Sequence, residues 1–146
     1  MITLFTIGFT EKSARQFFSL LTQAGVETVI DTRISNNSQL AGFAKGPDLA
    51  YFAEAIGGMG YVHRTDYAPT KELLDRYRNK KMTWEEYEPE YLNLLDMRQV
   101  GKDLQVETLH RHCLLCSEHG PEKCHRRLLA EYFQHKFGGI EIVHLK

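Results

Sequence analysis

Short apolar runs alternate with amphipathic stretches along this chain, and the alternation predicts strands and helices in succession. Leu4 to Gly8 predicts a buried strand, Thr10 a helix N-cap, and Phe17, Phe18, Leu20 and Leu21 the inner face of a helix ending at Gly25. Val26 to Asp31 predicts the second strand, with Val29 and Ile30 in its core, so the chain opens on a βαβ unit with an expected right-handed crossover. Thr32 to Asp48 is polar and irregular, and a loop of that length in a small domain is usually functional or mobile. Asp48 is placed to cap a helix through Ile56 that Gly57-Gly58 stops, and Tyr61 to His63 predicts a third strand. Two helices follow: Lys71 to Arg78, and then, capped by Thr83, Trp84 to about Arg98, which Pro89 should bend or interrupt. Residues 111–116 predict the fourth strand, residues 121–137 its helix with Pro121 at the first helical position, and Ile140 to Leu145 the last strand.

These elements describe an α/β fold, a single domain over residues 1–146 with a mainly parallel β-sheet flanked by helices. The length suffices to bury a core without disulfides or metals, and no repeat, linker or low-complexity tract divides it. Lys plus Arg number 18 against 19 Asp plus Glu, so no global field draws the chain to nucleic acid or an anionic membrane. The apolar start, Met1 to Gly8, is too short for a signal peptide, and no run reaches the length of a membrane span. A cytoplasmic protein without a membrane partner is expected. The three cysteines all lie between residues 113 and 124, which suits reduced thiols with a local task better than a secreted disulfide framework.

The densest chemistry lies in Leu114 to Arg127, where Cys116, Glu118, His119, Cys124, His125, Arg126 and Arg127 crowd a strand-to-helix junction. In open α/β sheets ligands bind at such junctions, where helix N-termini offer unpaired N–H groups. If the strands are parallel, Gly8-Phe9-Thr10, Asp31-Thr32-Arg33 and Cys116-Ser117-Glu118 converge on one sheet edge. Cys113, Cys116, Cys124 and His125 have the composition of a zinc site, but side chains three apart in a strand point to opposite faces, so Cys113 and Cys116 cannot both ligate one ion. An activated thiol fits better. Cys124 near a helix N-terminus, beside His125, Arg126 and Arg127, has the positive surroundings that make a nucleophile, with Cys116 as neighbour or resolving partner and Cys113 as a core residue. Alternatively Arg33, Arg126 and Arg127 bind an anion while Glu118 or Asp31 acts as acid or base. The turn after the first strand lacks the glycine-rich dinucleotide fingerprint. Trp84, Tyr87, Tyr91 and Tyr77 fall at helical spacing and are expected in the core rather than on a base-stacking surface.

Several segments together resemble a known family. Thr6-Ile7-Gly8, Asp31-Thr32-Arg33, Asn36 to Phe43, Ala68-Pro69-Thr70, Trp84 to Tyr87, and Leu114 to Glu118 through Cys124-His125-Arg126-Arg127 resemble the family called domain of unknown function 488. Many relatives carry a histidine where this chain has Phe9. The resemblance implies a compact α/β fold that gathers Asp31, Arg33, Cys116, Glu118, Cys124, His125 and Arg126 in one pocket; it implies no reaction. The expected function is an enzyme that binds a small anionic ligand, a nucleotide or phosphorylated compound. In that reading Cys124, Glu118, Asp31 and His125 are catalytic, Arg33, Asn37, Ser38, Cys116 and Arg126 hold the ligand, and no metal and no identified cofactor takes part. The alternatives are a nucleic-acid-binding or regulatory module using Arg126, Arg127 and Lys45, and a redox sensor pairing Cys116 with Cys124.

Overall fold

The computed structural model describes residues 1–37 and 41–146, so Ser38 lies outside the described residues. Five strands, β1 (Ile2–Gly8), β2 (Thr28–Asp31), β3 (Gly60–His63), β4 (His112–Cys116) and β5 (Ile140–Leu145), form one sheet in the order β3-β2-β4-β1-β5. Every pairing is parallel. The helices are α1 (Ala14–Ala24), α2 (Gly46–Gly57), α3 (Lys71–Arg78), α4 (Trp84–Met97) and α5 (His125–Phe137). The fold is therefore the expected α/β class, with its sheet parallel throughout the described strands. Among the described residues no helix is long and apolar enough to cross a membrane.

β4 runs through the middle of the sheet, paired with β1 from Phe5↔Cys113 to Gly8↔Cys116 and with β2 from Thr28↔His112 to Asp31↔Leu115. Because strand side chains alternate, β4 feeds both cores. Cys113 and Leu115 join Phe17, Phe18, Leu21, Leu49 and Ala53 beneath α1 and α2. Leu114 joins Trp84, Tyr91, Leu95, Leu128 and Phe133 beneath α3, α4 and α5. Cys116, two residues on from Leu114, therefore emerges on the α3–α5 face at the carboxyl edge. The aromatics of α4 are core residues, as their spacing predicts.

Four local expectations are corrected. Ser13, not Thr10, caps α1, in a capping box with Gln16; Thr10 instead turns both its N–H and its hydroxyl to the Ser117 carbonyl, at 3.1 and 2.8 Å. α2 starts at Gly46, with Pro47 in the first turn, where a missing N–H is harmless, and Asp48 inside the helix beside the positive end of its dipole. α4 is not interrupted at Pro89. The N–H that Pro89 lacks would have met Glu85 in the first turn, while the Thr83–Glu86 capping box and the buried stripe Trp84, Tyr87, Tyr91 and Leu95 hold the helix on both sides. Finally, α5 begins at His125 with Cys124 as N-cap, so Pro121 belongs to the preceding loop. Arg126 reaches back to the Glu118 and His119 carbonyls, at 2.8 and 3.3 Å, and keeps that loop from winding into the helix.

The loop after β4 presses on the end of β1. A Cβ at Gly8 would meet the Glu118 carbonyl oxygen at 1.5 Å, with backbone rather than a yielding side chain in the way. Gly8→Ala is accordingly expected to destabilise the fold by about 3 kcal/mol or more, as overpacking against backbone does. A urea titration checks this; a loss under about 1 kcal/mol would mean that the loop yields freely.

Candidate functional site

The carboxyl ends of β2 and β4 and the N-terminus of α5 enclose one side of a cavity of about 390 Å³, and α3 and α4 close the other. Cys116, Cys124, His125, Arg33, Glu118 and Asn37 line it, so six of the described sequence-predicted residues share one space. Asp31 and Arg126 do not reach the cavity; both are fully buried behind it.

Asp31 is consumed in orienting Arg33. Its Oδ1 accepts from the Arg33 backbone N–H (3.1 Å) and Nε (2.9 Å), and its Oδ2 from Arg33 Nη2 (2.7 Å) and the Tyr61 hydroxyl (2.6 Å). Burial, reinforced by that bond, pushes the Tyr61 phenol up to about 12, so it remains a donor. Burial pulls the Arg33 guanidinium down, but the bidentate Asp31 contact outweighs it and the net shift is upward. Arg33 also donates through Nη2 to the Ala44 carbonyl at 2.7 Å, and its guanidinium lies 5.1 Å from the centre of the Phe9 ring. Its Nη1 is buried without a hydrogen-bond partner among the described residues.

The thiol cluster is built on the strand-to-helix step. His125, in the first turn of α5, directs Nε2 to the Thr32 carbonyl (2.9 Å) and hydroxyl (3.0 Å), and Nδ1 to Cys116 Sγ (3.6 Å). The Thr32 hydroxyl donates to the Leu115 carbonyl at 2.8 Å, so its oxygen is free to accept. These contacts assign the Nε2 proton to Thr32 and aim the other nitrogen at sulfur. The Cys116 thiol is held well below its ordinary range, first by a hydrogen bond from Cys124, then, against burial, by His125 and Arg126. Burial, followed by the Cys116 contact, pushes the Cys124 thiol well up. For His125 burial alone would lower the pKa, yet the Cys116 thiolate beside it makes the net shift upward. Of the two thiols Cys116 is therefore the more readily ionised, with His125 placed to favour its anionic form.

Cys116, Cys124 and His125 offer three ligand atoms within 4.8 Å of one another, three corners of a tetrahedral thiophilic ion and one short of a closed structural zinc set. Cys113 is on the opposite face of β4, where burial raises its thiol far above the usual range.

Arg126 is 0% exposed and, among the described residues, has no carboxylate partner. It holds the loop through carbonyls, and its charge helps to hold the Cys116 thiol below its ordinary range. Arg127 pairs with Glu131 at 3.0 Å and stands off the cavity.

Several contributors escaped the sequence reading. Lys71, Arg78 and Lys123 add positive charge to the lining, Asp75 a negative one, and Tyr77, Trp84 and Tyr87 an aromatic wall in which Trp84 and Tyr87 stack at 5.0 Å. Tyr61 and Thr32 orient Asp31 and His125 from behind. The Ala68-Pro69-Thr70 segment was the one available sign that the entry to α3 belongs to the site: Arg98 pins its Ala68 carbonyl at 2.6 Å, and Pro69 lines the cavity.

Residues 13–133 match the family model for Domain of unknown function DUF488, a span that includes β2, β4 and the whole Cys116–Arg127 segment. No curated protein matches the chain, and no solved structure does. Covering most of the chain, including the cysteine, histidine and arginine cluster just described, the match establishes that this protein belongs to the DUF488 family.

Proposed function

We propose that the protein is an enzyme that binds a small anionic ligand in the cavity and acts on it with the Cys116 sulfur. The observation that carries this reading is the position of Cys116: among the residues that line the cavity, with its Sγ 3.6 Å from His125 Nδ1 and within 4.8 Å of the Cys124 sulfur. A thiolate at neutral pH is the form of cysteine that attacks electrophiles. The sequence favoured Cys124 as nucleophile; the geometry supports exchanging the roles. Cys116 is the nucleophile, His125 its counter-ion, and Cys124 the protonated neighbour that can return a proton to the departing group.

The charge of the lining favours an anion. Arg33, Lys71, Arg78 and Lys123 outnumber Asp75 and Glu118, and the volume falls in the range of small-molecule sites. In this reading Asp31 positions Arg33, Glu118 is the carboxylate available for proton transfer at the cavity, Asn37 contributes a polar contact at the rim, and Arg126 acts through the loop and the thiolate.

A thiol whose pKa lies well below the ordinary range is ionised at neutral pH and gains its proton only as pH falls through that lowered value. Alkylation of native protein by iodoacetamide is therefore expected to label Cys116 alone, at a rate flat across neutral pH and falling in acid, read by peptide mass spectrometry. Label on Cys124 with Cys116 spared would reverse the assignment. In His125→Asn the imidazolium is lost, and the midpoint of the alkylation profile is expected to rise by about one pH unit or more. An unmoved midpoint would deny His125 its role as counter-ion. Elemental analysis of the same protein is expected to find less than stoichiometric zinc; one firmly held zinc per chain with masked thiols would overturn the nucleophile reading.

A further inference from the structure

The loop between Cys116 and α5 has its carbonyls spoken for on one side. Thr10 donates to the Ser117 carbonyl twice, Arg126 Nη1 and Nη2 take those of Glu118 and His119, and Arg127 Nε takes that of Glu122, at 3.2 Å. A trans peptide points its N–H away from its carbonyl. The N–H groups of Glu118 and Lys123 are consequently turned away from Thr10 and Arg127, and neither they nor that of Cys124 has a backbone acceptor among the described residues. All three residues line the cavity. Orphaned N–H groups ahead of a helix do not by themselves make a site, but the same cavity is lined by a buried cation with an unpartnered donor. Arg33 is only 4% exposed, lines the same cavity and keeps Nη1 without a partner among the described residues. Its fork is locked by Asp31, so Nη1 is a fixed, charged donor rather than a mobile side chain.

Resting on the thiol-enzyme reading above, and naming the substrate class for that site, we infer that the loop Ser117–Cys124 and Arg33 Nη1 form an oxyanion seat for a phosphate monoester with a planar organic group. The donor groups belong to three elements, the end of β2, the loop and the N-terminus of α5, a set that suits a tetrahedral group with several oxygens better than a planar carboxylate. The seat adjoins Cys116, which sets the phosphorus within the reach of the sulfur rather than at a remote anchor. The stacked Trp84 and Tyr87, with Tyr77, form the wall against which the planar group packs. Arg126 sets the seat by holding carbonyls, so its charge polarises the loop without touching the ligand.

The chain has one tryptophan, Trp84, and it lines this cavity, so its fluorescence reports occupancy directly. Reduced protein is titrated with inorganic phosphate, phenyl phosphate and acetate at matched ionic strength, and iodoacetamide labelling of Cys116 is followed in the same samples. Phosphate and phenyl phosphate are expected to change the fluorescence and slow the labelling, phenyl phosphate at lower concentration, with acetate inert. Arg33→Lys keeps the charge but loses the fixed fork, and is expected to weaken phosphate binding about tenfold. Thr10→Val frees the Ser117 carbonyl and is expected to weaken it several-fold. If phosphate and acetate protect equally, or neither protects while Cys116 still reacts as a low-pKa thiol, the seat is wrong and the thiol reading stands. If phosphate binds with the Arg33 dependence but Cys116 has an ordinary thiol pKa, the seat stands and the nucleophile assignment falls.

Discussion

A buried guanidinium without a carboxylate partner among the described residues, that of Arg126, organises this end of the molecule. Burying a cation is unfavourable unless dipoles or an opposite charge compensate it. Here the compensation comes from the Glu118 and His119 carbonyls, and the guanidinium in turn helps to hold the Cys116 thiol below its ordinary range. Removing Arg126 would release the loop that shapes the cavity and take away one of the positive charges that favour ionisation of Cys116. Gly8 belongs to the same constraint, since only a residue without a Cβ lets the Glu118 carbonyl come so close to β1.

The fold was largely legible in the sequence because its signals are periodic. Apolar runs at β1, β4 and β5 and the amphipathic stretches of α1, α3 and α4 identify themselves through burial alone. The boundaries that escaped are those decided by distant partners. Thr10 looks like a cap until Ser117, more than a hundred residues away, takes its hydroxyl, and Pro121 looks like a helix start until Arg126 claims the carbonyls before it. Local pattern cannot register a hydrogen bond across the sheet.

For the candidate site the same division holds. Strand parity alone separates Cys113 from Cys116, and parallel strands bring Arg33 near the cysteines, so the membership of the cluster followed from the sequence. The division of labour within it did not. Which thiol is the more readily ionised depends on the contact between the two sulfurs and on where His125 Nδ1 points, and the latter is fixed by two contacts to Thr32. Asp31 has the chemistry of an acid or base in the sequence, and in the structure its carboxylate accepts four hydrogen bonds, three from Arg33 and one from Tyr61. The aromatics of α4 are core residues, as their spacing predicts, and Trp84 and Tyr87 also border the cavity because α4 packs over the carboxyl edge of the sheet.

The central place of β4 also bears on how the molecule breathes. Backbone amides of a strand paired on both sides exchange with solvent only in the rarest openings, whereas short peripheral helices open locally and often. Cys116 ends that strand, while α3, eight residues long, supplies much of the opposite wall. The Cys116 sulfur is thus anchored to the centrally paired strand and faced by a short peripheral helix. The two walls of the cavity belong to parts of the fold with very different anchorage, a central strand and a short peripheral helix.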